Sequence, residues 1–393
     1  MAPPDIRTSA RADIGCDALL DSSVWWAALP LDQRRRLPGP RDGAGRDRGA
    51  RRLAGWRTGR VTGGLELDLS RWHAAGIGAD ELELLLGESE DELRARLPHR
   101  PPWLTSLARA WSIDPAERPE PDDLSEELGP AAGLLALVHP LTWWHQGALR
   151  DEVNRLAREH GVEPVARTHP LLQPNYGTLL SMITPVLAVH LQRARAAGTL
   201  AGDTPPDRFA DFVRQLREPE YALRILAQHP TLARELVDEL ETWVTVRREL
   251  AERLLADLPA LRTTFGVTCR SLHDLTEVRM GAGDTHRGGR SVAVLTFADG
   301  GRVVYKPRRL SVEAHFYTLV EWLNARGLTH PLRRLAILDR PDYGWVEFAS
   351  AAGCADEDGL RRFFWRQGAY LSLLYVLRAA DIHLENLIAA GDQ

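Results

Sequence analysis

The chain has 393 residues, of which 44% are hydrophobic and 26% charged, and its formal net charge is -5. This length predicts two to three domains, and the apolar content suits a soluble protein with a hydrophobic core. The mild charge gives no support for nucleic-acid binding. The apolar stretches at 131–144 and 178–191 are too short and interrupted for a transmembrane segment, and the first residues lack the apolar core of a secretory signal.

The three cysteines, Cys16, Cys269 and Cys354, are far apart and show no zinc-binding spacing. Three is also an unsuitable number for a disulfide framework. We therefore expect that the chain binds no zinc. We also expect that its thiols are reduced and that its location is cytoplasmic.

Residues 34–62 are rich in Arg, Gly and Pro and lack an apolar period. This composition predicts a loop or disordered segment, and we assign 1–65 as a flexible N-terminal region. A run of this kind is usually a solvated surface. A binding surface for an acidic peptide is the alternative interpretation.

From 66 to 270 apolar residues recur every three to four positions, which predicts a helical region. The run 230–256 continues this period, with Leu236 and Leu240 on its apolar face. The tryptophans, among them Trp143 and Trp144, are expected in the core or at interfaces. Proline-containing segments separate the helices near 98–102, 115–121, 164–174 and 204–206.

The pattern changes near 270, where β-rich runs replace the helical period. An amphipathic helix is predicted over 311–326 and a long helix over 357–378. Strands are predicted at 275–280, 291–297, 302–306, 335–338 and 345–348. The fold class is therefore α+β and mostly helical, with an antiparallel sheet and a helix after the helical N-terminal region.

One residue is singled out by composition. Of the 49 basic residues, 48 are arginine and one is lysine, Lys306. A position that keeps lysine against this bias suits a role that needs a compact ammonium on a flexible stem, which a planar guanidinium cannot replace. Chance is the alternative explanation.

Three elements suited to phosphate chemistry occur in order between 283 and 386. The first is a glycine-rich loop, in which Gly283, Gly288 and Gly289 let backbone N–H groups approach a phosphate. The second is Lys306 at the end of a predicted strand, from which a lysine reaches nucleotide phosphates in kinase-like folds. The third is the D-x-H-x-x-N motif at 381–386, which offers a base and a metal-binding amide.

Each element has a structural alternative. Asp284 and His286 can be ordinary turn residues, and Lys306 can be an exposed strand end. The polar residues at 381–386 can cap or follow a helix. The occurrence of all three elements in this order favours the functional interpretation.

Three blocks of sequence are informative together: GDTHRGGRSVAVLTFADGGRVVYKPRRLSVEAHFYTLVEWLN, GWVEF and RRFFWRQGAYLSLLYVLRAADIHLENLIAAG. They resemble successive parts of the dehydratase domain of LanM-type (class II) lanthipeptide synthetases, which is similar to lipid-kinase catalytic cores. The resemblance is strong over 275–391 and weaker over 66–270. It implies a helical part of the dehydratase at 66–270, followed over 271–393 by a lipid-kinase-like N-lobe and the start of a helical C-lobe.

The resemblance implies a two-step reaction on a ribosomally made precursor peptide, with ATP and Mg²⁺ as cofactors. ATP phosphorylates Ser and Thr hydroxyls, and elimination of phosphate then leaves dehydroalanine or dehydrobutyrine. Lys306 and the glycine loop would bind the ATP phosphates, and Glu313 is a candidate ion-pair partner of Lys306.

The resemblance also implies roles for the polar motif residues. Asp381 would be the catalytic base, His383 would support phosphoryl transfer and Asn386 would bind Mg²⁺. Asp284 and His286 match family residues that act around the phosphate and in its elimination.

The chain departs from the family pattern at its end. It stops at Gln393, before the Pro-led strand and the D-x-E metal-binding motif of the family, and Asp392 lies too early to be that carboxylate. The C-terminal LanC-like zinc cyclase is also absent. We therefore expect a truncated or split form with little activity alone, for which a second chain that supplies the missing segment is a candidate partner. The alternatives are a precursor-peptide-binding fragment without chemistry and an unrelated kinase-like transferase.

Overall fold

The computed structural model describes residues 15–39, 45–57, 72, 74–119, 124–281, 287–380, 382–383 and 387–393. Its helices are α1 (Cys16–Leu20), α2 (Leu31–Arg36), α3 (Arg46–Arg57), α4 (Ala79–Gly87), α5 (Glu90–Arg96), α6 (Pro102–Trp111), α7 (Ser125–Leu128), α8 (His139–Glu159), α9 (Tyr176–Ala196), α10 (Pro205–Leu216), α11 (Pro219–Gln228), α12 (Pro230–Phe265), α13 (Ser311–Asn324) and α14 (Glu357–Val376). Within these ranges, no helix has both the length and the apolar character needed to cross a membrane.

The strands form one antiparallel sheet and confirm the α+β, mostly helical fold class. They are β1 (Leu275–Met280), β2 (Ala293–Phe297), β3 (Arg302–Lys306), β4 (Ile337–Asp339) and β5 (Gly344–Glu347). Their order in the sheet is β1-β2-β3-β5-β4. The β1 and β3 limits agree with the sequence prediction, and β2 begins two residues later than predicted because the chain is still leaving the glycine-rich segment.

The chain forms two compact units. One comprises Met1–His145 with Pro174–Glu241, and the other comprises Gln146–Gln173 with Thr242–Gln393. Packing rather than chain order defines these units, and the predicted domain limits at 65 and 270 remain predictions.

In the first unit, the loop predicted over 34–62 is wrong in part, because α2 continues to Arg36 and α3 covers Arg46–Arg57. The reason is that α3 meets α4 through a close glycine contact together with Leu53, which shares an apolar cluster with Leu82 and Leu85 of α4, so the segment shows no regular apolar period. A Cβ on Gly49 would collide with the backbone carbonyl of Glu83. The helices approach so closely because glycine has no side chain.

Arginines of α3 complete this contact at the C-terminal end of α4. Arg48 Nε donates to the Gly87 carbonyl at 2.8 Å, and Arg52 donates to the Leu86 carbonyl at 2.7 Å. The last carbonyls of a helix have no partner within it, so a guanidinium satisfies them well. The residues whose composition suggested a loop are therefore the ones that make the helix contact.

Two histidines of the first unit form a close pair. His190 of α9 and His229, which follows α11, have their Nε2 atoms 3.0 Å apart, so one ring donates and the other accepts. Burial, with the nearby His229 and Arg193, lowers the pKa of His190 to about 4, and burial also lowers the pKa of His229. Both rings are therefore neutral at pH 7 in the folded chain.

We predict that this pair makes the stability of the chain depend on pH. Because the folded pKa of His190 lies below the unfolded value, its contribution is present above about pH 6.5 and is lost as the pH falls toward 4. The free energy of unfolding should fall by about 2 kcal/mol across this range in a way that His190→Gln removes. Urea denaturation at several pH values measures this. The control His99→Gln, at an exposed position, should keep the wild-type slope, and an unchanged slope in His190→Gln would contradict the assignment.

The second unit is built around the contact between α12 and one face of the sheet. Alternate residues of the central strands point into this core: Leu295 and Phe297 of β2, Val303 and Tyr305 of β3. Leucines of α12 complete it, namely Leu250, Leu254, Leu258 and Leu261. The period of two in the strands and of three to four in the helix is the expected pattern for a helix packed on a half-buried sheet.

A buried carboxylate fixes the position of the sheet on α12. Asp257 accepts hydrogen bonds from Arg340 Nε at 2.9 Å and Nη2 at 2.7 Å, from the Tyr343 hydroxyl at 2.9 Å and from Trp345 Nε1 at 2.8 Å. Asp257 is only 3% exposed. Burial of a charge is tolerated here because both oxygens are fully bonded and a guanidinium neutralises them.

We predict that Asp257→Ala lowers the free energy of unfolding by about 3–5 kcal/mol, since it leaves a guanidinium, an indole N–H and a hydroxyl without their acceptor. Asp342→Ala, an exposed carboxylate in the same turn, should change it by less than about 0.5 kcal/mol. Equilibrium urea denaturation checks both. Equal effects in the two variants would show that the Asp257 network does not hold the sheet.

Candidate functional site

The candidate site lies at the edge of the sheet where β1 and β3 end and β2 begins. The register pairs Met280 with Ala293 and Ala293 with Tyr305, so these residues form one row across the sheet. The glycine-rich segment joins β1 to β2 beyond this row. Lys306 follows Tyr305 on the adjacent strand, about 5 Å from β2 by normal strand spacing. The register therefore puts Lys306 at the end of the sheet that carries the glycine-rich segment.

The base of the glycine-rich segment is held from both sides. The Gly281 N–H donates to the buried Ser291 hydroxyl at 3.1 Å. Arg290 Nε donates to Glu249 Oε2 of α12 at 2.9 Å. The same α12 that carries the sheet therefore also anchors the exit of the loop.

Gly288 and Gly289 lie next to this anchor, and both have positive φ, 74° and 73°. A Cβ on Gly289 would collide with Cγ2 of Thr242 on α12, whereas a Cβ on Gly288 would meet only the flexible end of Arg290 at 3.3 Å. Glycine is thus needed at 289 for both conformation and close approach. The predicted loop residues Gly283, Asp284 and His286 lie outside the described part of the chain.

Lys306 is half-buried, and Glu313 is near enough to influence its charge. Burial lowers the pKa of Lys306, while the negative charge of Glu313 raises it and Arg308 lowers it further. The two principal influences oppose each other, and burial prevails, so the pKa of Lys306 is lower than that of an exposed lysine. Among the described residues the ion-pair partner of Glu313 is Arg308, so the ion pair predicted between Glu313 and Lys306 remains a prediction.

The Glu313 carboxylate is positioned at the start of α13. Arg308 Nη2 forms an ion pair with its Oε1 at 2.5 Å, and Oε2 is shielded from water without accepting a hydrogen bond. The helix start is itself fixed, because the Leu310 N–H donates to Asp339 Oδ1 of β4 at 2.9 Å. A shielded carboxylate with unused acceptor capacity is suited to orient a neighbouring ammonium.

Sequence reasoning missed an aromatic and charged cluster beside Glu313. Burial, followed by the influence of Tyr370, raises the pKa of Tyr317 to about 12. Glu347 of β5 and Arg333, whose charges also act on Tyr317, form an ion pair at 2.8 Å. The spacing of the sequence could have indicated this cluster, because Tyr317 follows Glu313 by four residues and so lies on the same face of α13.

The predicted residues after α14 are only partly described. Asp381 and Asn386 lie outside the described residues, and His383 is exposed. Their grouping with Lys306 remains a prediction. In the part of the chain that the structure describes, no group of three or more His, Cys, Asp or Glu side chains is arranged to hold a metal ion.

Residues 387–393 pack beside α14. The Gly391 N–H donates to the Ala352 carbonyl at 2.9 Å. Asp392 accepts from Arg362 Nε at 2.6 Å and lies 3.1 Å from Arg366 Nη1. These two guanidinium groups lower the pKa of Asp392 to about 2. Its carboxylate therefore fixes this segment to the helix.

The comparisons with known proteins fall on the same region. Residues 229–393 match the family described as Domain of unknown function (DUF4135). The matched region includes α12, the sheet, α13 and α14, and thus every described element of the candidate site.

A curated relative is the Lacticin 481/lactococcin biosynthesis protein LcnDR2 of Lactococcus lactis subsp. lactis, with 21% identity over 223 residues. The match covers 54% of this chain and 24% of the relative. The chain thus spans about a quarter of the length of the curated relative it matches. These similarities support the relation to lanthipeptide synthetases that the sequence blocks indicate.

We predict that Gly289→Ala destabilises the fold by about 2–3 kcal/mol, because it adds left-handed backbone strain to the collision with Thr242. Gly288→Ala, which adds the strain alone, should cost only about 1 kcal/mol. Thermal or urea denaturation measures both.

The cause is tested by combining Gly289→Ala with Thr242→Ser, which removes the colliding methyl group. The double variant should lose only as much stability as Gly288→Ala. If Thr242→Ser restores nothing, the loop does not rest on α12 as described.

Proposed function

We propose that this chain acts in lanthipeptide biosynthesis, as part of a dehydratase that uses ATP to phosphorylate Ser and Thr of a precursor peptide and then eliminates phosphate. The named function of the curated relative and the three sequence blocks support this proposal. The observation that carries it is the place of Lys306. The only lysine of the chain ends β3, at the end of the sheet that carries the glycine-rich segment, beside Glu313.

In this proposal the phosphates of ATP lie between the glycine-rich segment and Lys306. Backbone N–H groups of the segment donate to phosphate oxygens, and the Lys306 ammonium offsets their charge. Glu313 is a positioning residue that directs the ammonium toward the phosphates. Asn386 would hold Mg²⁺, which neutralises phosphate charge when it is bound.

The first chemical step moves a phosphoryl group. Asp381 accepts the proton of a Ser or Thr hydroxyl, the hydroxyl oxygen bonds to the γ-phosphorus, and the bond to ADP breaks, with His383 supporting the transfer. In the second step a base removes the Cα proton, a carbon–carbon double bond forms and phosphate leaves. Asp284 and His286 are assigned to this elimination.

We predict that Lys306→Met weakens ATP binding by about tenfold or more, because one charge-assisted contact to the phosphates is lost. Lys306→Arg should not restore it, since a planar guanidinium does not fit the place of a compact ammonium. Glu313→Gln should weaken binding by a smaller factor, about threefold, because it acts only through Lys306. Titration calorimetry of the full chain with Mg²⁺-ATP measures each constant.

Arg302→Gln is the matched control, as Arg302 is an exposed cation at the other end of the same strand. It should bind ATP like the wild type. Wild-type affinity in Lys306→Met would contradict the proposal. Mass spectrometry of a cognate precursor peptide, incubated with the chain, ATP and Mg²⁺, then separates the alternatives. Phosphate addition without loss of water favours an unrelated kinase-like transferase, and peptide binding independent of ATP and without mass change favours a binding fragment.

A further inference from the structure

The second compact unit contains a solvent-open groove that the proposed chemistry does not use. It lies between α8 and the extended segment after it, and its volume is about 370 Å³. Arg150 and Arg158 line it from the helix, and Arg167 lines it from the segment. Asp151 also lines the groove, so three guanidinium groups face one carboxylate, and this excess of positive charge indicates a site for an anionic ligand.

The helix side of the groove has a regular spacing. Arg150, Asn154 and Arg158 are four residues apart, so they lie on one face of α8. Eight residues of helix separate the two arginines by about 12 Å. An inorganic phosphate is too small to meet both, so the groove is suited to an elongated ligand with more than one anionic group.

The wall opposite the helix is held in a fixed position. Asn154 Nδ2 donates to the Val165 carbonyl at 3.2 Å, and the Val165 N–H donates to Asn154 Oδ1 at 2.7 Å. Gln173 Nε2 donates to the Arg167 carbonyl at 3.2 Å. The wall is thus preformed, which lowers the entropy lost on binding.

The Arg167 guanidinium also has a defined place. It lies over Gly147 of α8, where a Cβ would come within 3.2 Å of Nη2. Its Nη1 donates to Gln146 Oε1 at 3.3 Å. This hydrogen bond helps to orient the guanidinium.

The charges around the groove select among anionic ligands. Arg150 is paired with its neighbour Asp151 at 2.8 Å, and Arg155 of the same helix is paired with Glu152 and Glu159 at 2.9 and 2.6 Å. Acidic residues therefore interrupt the basic surface of this helix, Asp151 within the groove lining and Glu152 and Glu159 outside it. A nucleic acid or an anionic membrane needs a continuous basic surface, which this helix does not offer.

We propose that this groove binds an acidic segment of a peptide in extended conformation. In an extended chain, side chains four residues apart lie on the same side at a separation of about 13 Å, which matches the distance between Arg150 and Arg158. Arg167 then meets a carboxylate from the opposite wall. The choice of a peptide as the ligand rests on the proposed function, in which the substrate is a peptide.

The test is fluorescence anisotropy of the full chain, without ATP, with a short fluorescein-labelled peptide of alternating glutamate and serine. A twin peptide with glutamine in place of glutamate measures the contribution of charge. The acidic peptide should bind, and the twin should bind at least about tenfold more weakly. Arg158→Gln should weaken binding of the acidic peptide about threefold to fivefold, and Arg158→Gln with Arg167→Gln about tenfold or more.

Arg155→Gln is the matched control, because it removes an exposed arginine of the same helix that does not line the groove. It should bind the acidic peptide within about twofold of the wild type. Arg158 is exposed, so its substitution is not expected to disturb folding, and circular dichroism of each variant verifies this.

Three results would overturn the inference: no binding of the acidic peptide, equal binding of the glutamine twin, or wild-type binding by the double variant. Displacement of the peptide by a uridine oligonucleotide at lower concentration would assign the groove to nucleic acid instead. Displacement by inorganic phosphate in the same way would reduce it to a simple anion site. Because ATP is omitted, the peptide-binding test does not depend on the ATP-binding test of Lys306. Either test can succeed while the other fails, so the proposed groove and the proposed function are tested separately.

Discussion

The buried Asp257 carboxylate is the interaction on which the second compact unit depends. It gathers Arg340, Tyr343 and Trp345 from the β4–β5 hairpin and ties them to α12. Because β5 pairs with β3, the same contact sets the position of β3 and of Lys306 at its end. A carboxylate with several fixed donors resists sliding better than an apolar contact does, since any shift leaves a buried polar group unpaired.

The candidate site is supported by two helices of this unit, α12 and α13. Glu249 and Thr242 of α12 hold the exit of the glycine-rich segment through Arg290 and Gly289. Glu313 lies at the start of α13, which is fixed to β4 through the bond from the Leu310 N–H to Asp339. Phosphoryl transfer depends on positioning and on charge more than on covalent chemistry, so rigid supports of this kind are what such a site requires.

Arginine has a largely structural use in this chain. Buried Arg34 donates to the carbonyls of Ala27, Leu29 and Leu85 at 2.6, 2.8 and 3.1 Å, and burial lowers its pKa to about 10. Arg366 binds the carbonyls of Pro331 and Asp392 in a similar way. A guanidinium can bind several carbonyls at once because its donors are rigid and spread, whereas an ammonium is better suited to the single charged contact proposed for Lys306.

The sequence by itself determined the fold class, the strands at 275–280 and 302–306, and the helices that carry the site, because these elements follow from hydrophobic period and turn residues. It also singled out Lys306 and Glu313. It could not place the helix at Arg46–Arg57, whose contact combines glycine, arginine and the buried Leu53 without a regular apolar period. Nor could it pair His190 with His229, join Asp257 to Arg340, or set Arg167 opposite Arg158. Those contacts join residues far apart in the chain or across a turn, and only tertiary packing decides which distant polar groups meet, because local propensity carries no information about partners at long range.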